Sequence, residues 1–276
     1  MSLSLSRNVP RIDHREVQVR QLTTWASGDY AVAGNALQIV GEELCETVNL
    51  CQDERVLDVA AGSFHAAFAA SRRWCDVTAT DHATDLTNRG RQRAEAVAAG
   101  VQLVDGDAEA LPFPDQSFSA VISAFGVMFA SDQERAASEM IRVCRRGRRL
   151  GLANWTPDGF IGRLFHTVGR HVPQGTCGQA PFQWGVPGRL EELFGAYGSV
   201  EASRKRVALR ARTPMDWVDK LRAGYAPVLK AFGQLDASRQ KALRSELLEL
   251  VTKFNRAKDS TMLVDAEYLE VVVTRR

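Results

Sequence analysis

A short apolar run that ends in a turn of small residues is the feature that most constrains this fold. Residues Val56 to Ala60 predict a buried strand, and Ala61 to Ser63 predict a tight turn that leads into a helix near Phe64. A strand that passes through such a turn into a helix is typical of open α/β sheets. The neighbouring segments should therefore supply further parallel strands.

Apolar runs alternate with helical patterns through the following segments. A helix is predicted from about 84 to 99, and a capping box of Ser131 and Glu134 predicts another helix that ends at Gly147. This alternation predicts a mostly parallel sheet with helices on both faces. The predicted strands span Val56–Ala60, Val77–Thr80, Val101–Val104, Phe118–Ala124 and Arg149–Ala153.

Composition limits the class of protein and its partners. The chain has 276 residues, of which 45% are hydrophobic and 25% charged, enough for one sizeable core. A net charge of +2 does not support a nucleic-acid partner, and no apolar run is long enough to span a bilayer. Five cysteines without a C-x-x-C pair argue against a zinc site and indicate a reducing compartment. We therefore expect a cytoplasmic protein that binds no membrane, nucleic acid or metal.

The turn after the first strand suits a ligand with polar or anionic groups. Its residues Ala60, Ala61, Gly62 and Ser63 are all small. A ligand can therefore approach the backbone N–H groups, and the helix N-terminus that follows favours negative charge. Asp58 lies within the apolar strand, where a carboxylate is costly to bury without partners. It either accepts hydrogen bonds from turn amides or faces a cationic group of the ligand, and a purely structural turn would show the same small residues.

Three further strand ends carry small, polar or acidic residues. Asp81 ends the second strand 23 residues after Asp58, a spacing at which nucleoside sites place an acid on the ribose hydroxyls. A helix N-cap would also use an aspartate at this position. Because parallel strands end at one edge of the sheet, these residues predict a shared pocket. The candidates are Asp81, His82, Asp107, Ala108, Ser123 and Ala124.

The sequence pattern changes after Trp155. Residues 156–198 are rich in glycine, proline and aromatic residues, which predicts a loop-and-helix insertion that acts as a lid. Beyond it, we predict a strand near 200–209, helices over about 214–224 and 236–257, and a last strand over 268–274. We interpret residues 1–276 as one domain: N-terminal helices (1–50), a cofactor-binding core (51–155), the lid (156–198), and a C-terminal part of the sheet and helices (199–276).

Four segments carry a family resemblance in order along the chain: Val56–Gly62, Thr80–Asp81, Gly106–Asp115 and Phe118–Phe125. Together they resemble the class I S-adenosylmethionine-dependent methyltransferases, above all the small-molecule branch that includes quinone-biosynthesis enzymes. The likeness covers roughly residues 30–155, and Gly-Asp-Ala-x-x-Leu-Pro-Phe is its most specific piece. The resemblance implies a Rossmann-like fold with a seven-stranded, mostly parallel sheet whose last strand is antiparallel.

The same resemblance implies S-adenosylmethionine as the cofactor and a role for each matching residue. The implied roles are Asp58 and Gly62 near the methionine moiety, Asp81 on the ribose, Asp107 and Ala108 at the adenine, and Ser123 and Ala124 beside the methionine end. No metal is implied.

Two positions depart from the family pattern. Members usually have a third small residue at the place of Phe64. A ring that points into the pocket would block the methyl donor, whereas a ring that points back under the helix would require a wider spacing between sheet and helix. The second departure is Arg145 to Arg149, which replaces a Pro-Gly-Gly-like turn and is interpreted as a solvated turn.

Four histidines could remove a proton from an acceptor: His65, His82, His166 and His171. No sequence pattern ties any of them to a second catalytic group, and a structural or surface role explains each one. Methyl transfer from a sulfonium needs little more than alignment of donor and acceptor in a dry site. We therefore assign no catalytic base.

The leading hypothesis is a methyltransferase that acts on a small, partly apolar molecule by direct methyl transfer. Four aromatic residues are expected to close over the acceptor or to form the core of the lid: Trp25, Tyr30, Phe160 and Trp184. The alternative, prompted by Phe64, is a methyltransferase-fold protein that has lost methyl transfer and binds a small molecule or catalyses another reaction. RNA methylation has only the arginine-rich run in its favour, and a homodimer is compatible with the sequence.

Overall fold

The computed structural model describes residues 35–82, 92, 94, 100–172 and 180–276. The helices predicted for the N-terminal residues before Asn35, and most of the helix predicted over 84–99, lie outside the described residues. Seven strands form one sheet in the order β3-β2-β1-β4-β5-β7-β6. The strands are β1 (Arg55–Val59), β2 (Asp76–Asp81), β3 (Val101–Asp105), β4 (Phe118–Ala124), β5 (Cys144–Trp155), β6 (Gly198–Ala211) and β7 (Met262–Arg275).

Helices cover both faces of this sheet, and alternate residues of β1 show how. Val56 belongs to a cluster with Leu44 and Phe68, whereas Leu57 belongs to a second cluster on the other face with Met140. The sheet therefore carries a hydrophobic core on each side. The helices are α1 (Gln38–Thr47), α2 (His65–Ser71), α3 (Gln133–Val143), α4 (Phe160–His171), α5 (Pro187–Phe194), α6 (Pro214–Gly224), α7 (Ala226–Gly233) and α8 (Ala237–Phe254).

The direction in which the chain adds strands reverses at β1. This strand pairs in parallel with β2 on one side and with β4 on the other. In open α/β sheets, such a switch point leaves a crevice beyond the carboxyl ends of the strands. The residues after Val59 and Ala124 lie at the edge of this crevice.

The final strand, β7, is antiparallel to both of its neighbours, β5 and β6. Its pairing with β6 is continuous from Gly198 opposite Arg275 to Ala211 opposite Met262. The expected Rossmann-like architecture, mostly parallel and seven-stranded with an antiparallel last strand, is confirmed.

The arginine-rich run is part of a strand, so the predicted turn was wrong, whereas its predicted exposure to solvent is confirmed at residues 146–148. Helix α3 ends at Val143 rather than at Gly147, and β5 begins at Cys144 with a register shift against β4. Gly147 has a φ of +70°, which lets the strand bend without a break. The guanidinium of Arg149 bonds both carboxylate oxygens of Glu54, at 2.8 and 2.9 Å, and so holds the bent strand against the sheet.

The predicted capping box was also wrong. Asp132, not Ser131, is the N-cap of α3, and its carboxylate accepts a hydrogen bond of 2.9 Å from the Arg135 amide. Ser131 instead bonds Glu109, which lies in the loop after β3. The Ser131 hydroxyl donates to a carboxylate that is distant in the chain, a contact that the spacing of a capping box does not predict.

Two kinds of feature are absent from the described ranges. No helix among them is both long enough and apolar enough to cross a membrane. The same ranges contain no cluster of three or more His, Cys, Asp or Glu side chains placed to hold a metal ion.

Close packing of α1 on β5 depends on Gly151. A Cβ at this position would lie 2.2 Å from Val48 Cγ2, and Val48 is a stiff β-branched side chain. We expect Gly151→Ala to lower the free energy of unfolding by about 1–3 kcal/mol, because the core must shift to admit the methyl group. Gly233→Ala is the matched control, since no atom lies within 4 Å of its added Cβ. Urea denaturation of both variants checks this, and equal stability of the two would contradict the packing.

Candidate active site at the carboxyl edge of the sheet

The turn after β1 has an unusual backbone. Ala60, Gly62 and Phe64 all have positive φ, at 52°, 54° and 63°. Left-handed backbone costs a non-glycine residue roughly 1–2 kcal/mol, so other contacts must hold Ala60 and Phe64 in place. One such contact is the hydrogen bond of 3.0 Å from the Ala61 amide to the carbonyl of Thr80 in β2.

Gly62 is the most open point of the turn. A Cβ built on this residue would have no atom within 4 Å. Its amide donates a 2.9 Å hydrogen bond to Oδ2 of Asp81, which fixes the backbone while the Cα side stays accessible. Ala60, Ala61 and Ser63 are half-buried beside it. The turn therefore offers a ligand a fixed backbone without side chains in the way.

Phe64 points away from this opening. Its ring is fully buried in the cluster between the sheet and helices α1 and α2, with Leu44, Val77 and Ile122 as members of the same cluster. The Phe68 ring centroid lies 6.4 Å from that of Phe64. Of the two orientations that the sequence left open, the ring adopts the one under the helix and does not block the turn.

Asp58 is buried within β1 and braces the start of α2. Its Oδ2 accepts a 2.9 Å hydrogen bond from the Ala67 amide, while Oδ1 is buried without a hydrogen-bond partner among the described residues. The pKa of Asp58 is raised to about 8, chiefly by desolvation; the Ala67 hydrogen bond opposes this rise, and the nearby Asp81 charge adds to it. One oxygen thus serves the fold, while a contact between the other oxygen and a ligand stays a prediction.

Asp81 and His82 close β2 beside the turn. Asp81 is buried, and its bond to the Gly62 amide shows that this carboxylate positions the turn. Nε2 of His82 is buried and has no hydrogen-bond partner among the described residues. The predicted proximity of Asp81 to the turn is thus present in the structure, although its contact with a ribose stays a prediction.

The loop after β3 returns to the same edge. The Gly106 amide donates a 3.0 Å hydrogen bond to the backbone carbonyl of Asp81. Asp107 is half-buried, and its Oδ1 accepts a 2.9 Å bond from the Glu109 amide. Ala108 is buried next to it. The loop thus places Asp107 and Ala108 beside β2, while their contact with an adenine stays a prediction.

A buried carboxylate fastens this loop to α3. Oε1 of Glu109 accepts hydrogen bonds from the Ser131 amide, the Ser131 hydroxyl and the Asp132 amide, at 2.6, 2.7 and 2.9 Å. Further along the loop, the Leu111 amide donates to Glu139 at 2.8 Å, and Arg142 donates to the Leu111 carbonyl at 3.0 Å. The most specific part of the sequence resemblance is therefore also the part that α3 holds most firmly.

Ser123 has a structural role at the end of β4. Its fully buried hydroxyl donates a 2.6 Å hydrogen bond to the Val59 carbonyl and accepts one of 3.1 Å from the Val127 amide. These bonds tie β4 to the end of β1. Ala124 is half-buried at the strand end, where its small side chain leaves room. The expected positions of Ser123 and Ala124 beside a methionine moiety stay predictions.

A stacked aromatic pair adjoins this edge. The rings of Phe125 and Trp155 lie 3.8 Å apart at an interplanar angle of 8°, and Tyr268 packs edge-on against both. Gly126 follows Phe125 and lies so close to Ala60 that a Cβ would approach the Ala60 carbonyl oxygen to 1.9 Å. The turn, the end of β4 and the end of β5 are therefore in direct contact.

A cavity of about 170 Å³ is lined on one side by Trp155. It lies between the ends of β5 and β6, helices α4 and α6, and the residues that precede α1. Four aromatic residues line it: Trp155, Phe165, Trp217 and Tyr225. Arg210 and Lys220 are its charged lining residues, and no acidic residue is among the described residues that line it.

The sequence did not identify the aromatic residues of this cavity. Phe160 and Trp184, two of the residues expected to close over an acceptor or form the lid core, are fully buried and are not among its lining residues. Phe160 instead packs against Trp217 and Phe254. Trp25 and Tyr30 lie outside the described residues. One usable signal was the spacing of Trp217, Lys220 and Leu221, which places all three on one face of α6.

None of the four candidate histidines, all of which lie within the described residues, lines the cavity. His65 is buried at the start of α2, and His166 is exposed on α4. Nε2 of His171 lies 3.0 Å from Oε1 of Glu246, in an ion-pair arrangement between α4 and α8. The sequence analysis assigned no catalytic base, and that interpretation stays a prediction.

Comparison with known proteins indicates the family to which this chain belongs. The model of the methyltransferase domain family matches residues 57–151. A demethylmenaquinone methyltransferase of Thermus thermophilus is 34% identical over 166 residues, which cover 57% of this chain and 71% of that enzyme. An uncharacterized protein of Mycobacterium tuberculosis is 34% identical over 255 residues, which cover 90% of each chain.

Among solved structures, a putative methyltransferase from an antibiotic biosynthesis pathway of Anabaena variabilis superposes with a TM-score of 0.58. The match has 18% sequence identity and covers 85% of this chain and 96% of that one. At this identity, the similarity establishes a shared fold.

The burial of Phe64 predicts how two truncations differ. Removing a buried phenylalanine ring costs about 3–5 kcal/mol, and glycine avoids about 1 kcal/mol of left-handed strain that alanine keeps. We therefore expect Phe64→Gly and Phe64→Ala both to lower the free energy of unfolding, with the glycine variant about 1 kcal/mol more stable than the alanine variant. Urea denaturation measures both. A glycine variant as stable as the wild type would show that the ring lies outside the core.

The raised pKa of Asp58 predicts a pH-dependent stability. Its folded value of about 8 lies above the ordinary aspartate value, so its contribution to stability is complete below about pH 4 and is lost as the pH rises toward 8. The Asp58→Asn variant should escape this loss, since its uncharged amide can still accept from Ala67. We expect wild type to lose stability relative to Asp58→Asn between about pH 4 and 8, as measured by urea denaturation. The exposed Asp53→Asn variant should follow wild type, and parallel curves for all three would contradict the raised pKa.

Proposed function

This chain belongs to the class I S-adenosylmethionine-dependent methyltransferases, and from that premise we propose that it methylates a small, partly apolar molecule by direct methyl transfer. The observation that supports this most is the open turn at Gly62, with Phe64 turned into the core beneath it. An apolar cavity in contact with the same edge of the sheet provides a place for the acceptor.

The residues at this edge fit S-adenosylmethionine. The space above Gly62 admits a ligand next to fixed backbone, and the unpartnered Oδ1 of Asp58 suits the cationic amino group of a methionine moiety. Asp81 would hold the ribose hydroxyls, with His82 beside it. Asp107 and Ala108 would border the adenine, while Ala60, Ala61, Ser123 and Ala124 would form the small-residue wall near the methionine end.

When bound, this cofactor supplies a methyl group on a sulfonium, an electrophile that needs an aligned acceptor. The chain's own residues provide the alignment and exclude water. Phe125 and Trp155 form a rigid stacked wall whose Trp155 ring lines the cavity. An acceptor in this cavity would therefore rest on Trp155 while the turn holds the donor.

The acceptor is proposed to be small and largely apolar because most side chains that line the cavity are aromatic or aliphatic. The relative from Thermus thermophilus carries the name of an enzyme that acts on demethylmenaquinone. That substrate belongs to the relative and is not proposed for this chain. We also propose a cytoplasmic location for this chain.

The alternative, a methyltransferase-fold protein that has lost methyl transfer, was prompted by Phe64. The buried ring removes the steric argument for it, since the side chain does not enter the opening above Gly62. RNA methylation is also weakened, because Arg148 and Arg149, two arginines of the run once considered for RNA contact, form ion pairs with Glu54. No observation now favours either function over methyl transfer to a small molecule.

Binding of S-adenosylhomocysteine, measured by calorimetry, tests the cofactor site. We expect Asp81→Asn to weaken this binding by roughly tenfold to a hundredfold, because hydrogen bonds to a charged carboxylate are worth about 1.5–3 kcal/mol. The asparagine oxygen can still accept from the Gly62 amide, so the turn should keep its shape. Asp76→Asn is the matched control, since Asp76 lies at the opposite, exposed end of the same strand.

The outcomes of this titration separate the two functional hypotheses. Unchanged affinity in Asp81→Asn would show that the ribose site is misplaced. If wild type did not bind S-adenosylhomocysteine but Phe64→Gly did, the protein would be a decayed methyltransferase rather than an active one.

A further inference from the structure

We propose that the acceptor is a monocyclic aromatic acid, whose ring occupies the cavity beside Trp155 and whose acidic group pairs with Arg210 and Lys220. This inference rests on the proposed function, since it names the substrate class of the same site. It follows from three properties of the cavity: its volume, the shape of its lining side chains and the sign of its charges.

The volume limits the acceptor to one ring. The cavity measures about 170 Å³. A dry cavity of roughly 150 Å³ in a protein interior holds one benzene molecule, so the space here fits one six-membered ring with a small substituent. A fused two-ring system would require the walls to move.

The lining favours a flat ring over a branched apolar group. Trp155, Phe165, Trp217 and Tyr225 come from four different segments and meet at this cavity. Aromatic side chains attract a further ring through offset or edge-to-face contacts worth about 0.5–1.5 kcal/mol beyond the burial of area. Trp155 is itself clamped by Phe125 and Tyr268, so this wall of the cavity is rigid.

The charges at the cavity are positive. Arg210 lies at the end of β6, and its Nη1 donates a long hydrogen bond of 3.4 Å to the Ala208 carbonyl; it has no acidic partner within the described part of the chain. Lys220 lies on α6 and pairs with Asp216 at 2.8 Å. Asp216 offsets part of the Lys220 charge, so Arg210 supplies most of the positive charge at the cavity.

Both cations are largely solvent-exposed, whereas Trp155 is buried. The acidic group of the acceptor therefore stays at the mouth, where Arg210 can bind a carboxylate with two parallel N–H donors. The ring then extends inward toward Trp155, the residue that links the cavity to the edge with the turn. A neutral ring of the same shape fits this cavity but binds more weakly, because it cannot pair with Arg210 and Lys220.

Four probes, each of which changes one property, test the proposal in ligand-observed NMR titrations of the wild-type protein. Benzoate carries both the ring and the charge; benzamide removes the charge, cyclohexanecarboxylate removes the planarity, and 2-naphthoate adds a second ring. We expect benzoate to bind at least about fivefold more tightly than each of the others, a difference that one charged hydrogen bond or one lost stacking contact supplies.

Two variants then locate the charge. Arg210→Gln and Lys220→Gln should each weaken benzoate binding about threefold to tenfold and leave benzamide binding unchanged. The matched controls are Arg206→Gln, on the same strand but outside the cavity, and Lys253→Gln, an exposed lysine on α8. Both controls should bind benzoate as wild type does.

The result that overturns the proposal is equal affinity for benzoate and benzamide, or a preference for benzoate that survives in the double variant of Arg210 and Lys220. S-adenosylhomocysteine is titrated into the same samples, so that two failures stay distinct. Cofactor binding without a preference for benzoate overturns the acceptor class alone. A preference for benzoate without any cofactor binding overturns the methyltransferase proposal and with it the role of this anion as an acceptor.

Discussion

Burial of the Phe64 ring is the interaction on which the shape of the cofactor edge depends. The left-handed backbone of Phe64 is unfavourable by itself, yet the ring gains far more from the core between α1, α2 and the sheet than the backbone loses. The turn is therefore held open from beneath by a side chain, at a position where the family resemblance predicts a small residue. The substitution that looks most damaging in the sequence proves to be compatible with the site.

Carboxylates organise the rest of this edge in a consistent way. Asp58, Asp81 and Glu109 each accept hydrogen bonds from backbone amides of another segment, and they thereby fix α2, the turn and the loop after β3. Because a carboxylate has two oxygens and several lone pairs, the same residue can serve the fold and a ligand. A residue in such a motif can thus have a structural role and a functional role at the same time.

The sequence predicted the alternating strands, the edge where they end and the approach of Asp81 to the turn, because these follow from local periodicity and parallel topology. It could not predict the direction of the Phe64 ring, which depends on space left by Leu44 and Ile122 far along the chain. It also misread the start of β5, where Glu54 binds arginines that looked like a solvated turn. The sequence did not predict the cavity for the same reason. Its aromatic lining residues meet only through tertiary packing: Trp155, Phe165, Trp217 and Tyr225.

The placement of β7 between β5 and β6 has a consequence for how the molecule assembles. β6 ends at Ala211, but the strand with which it pairs begins only at Met262, after three helices. During synthesis, the fourteen residues of β6 therefore emerge before their partner strand, and their backbone groups bond water until β7 is made. The run of charged residues from Glu201 to Arg206 should keep this waiting strand from pairing with another molecule, so its polarity protects folding rather than function.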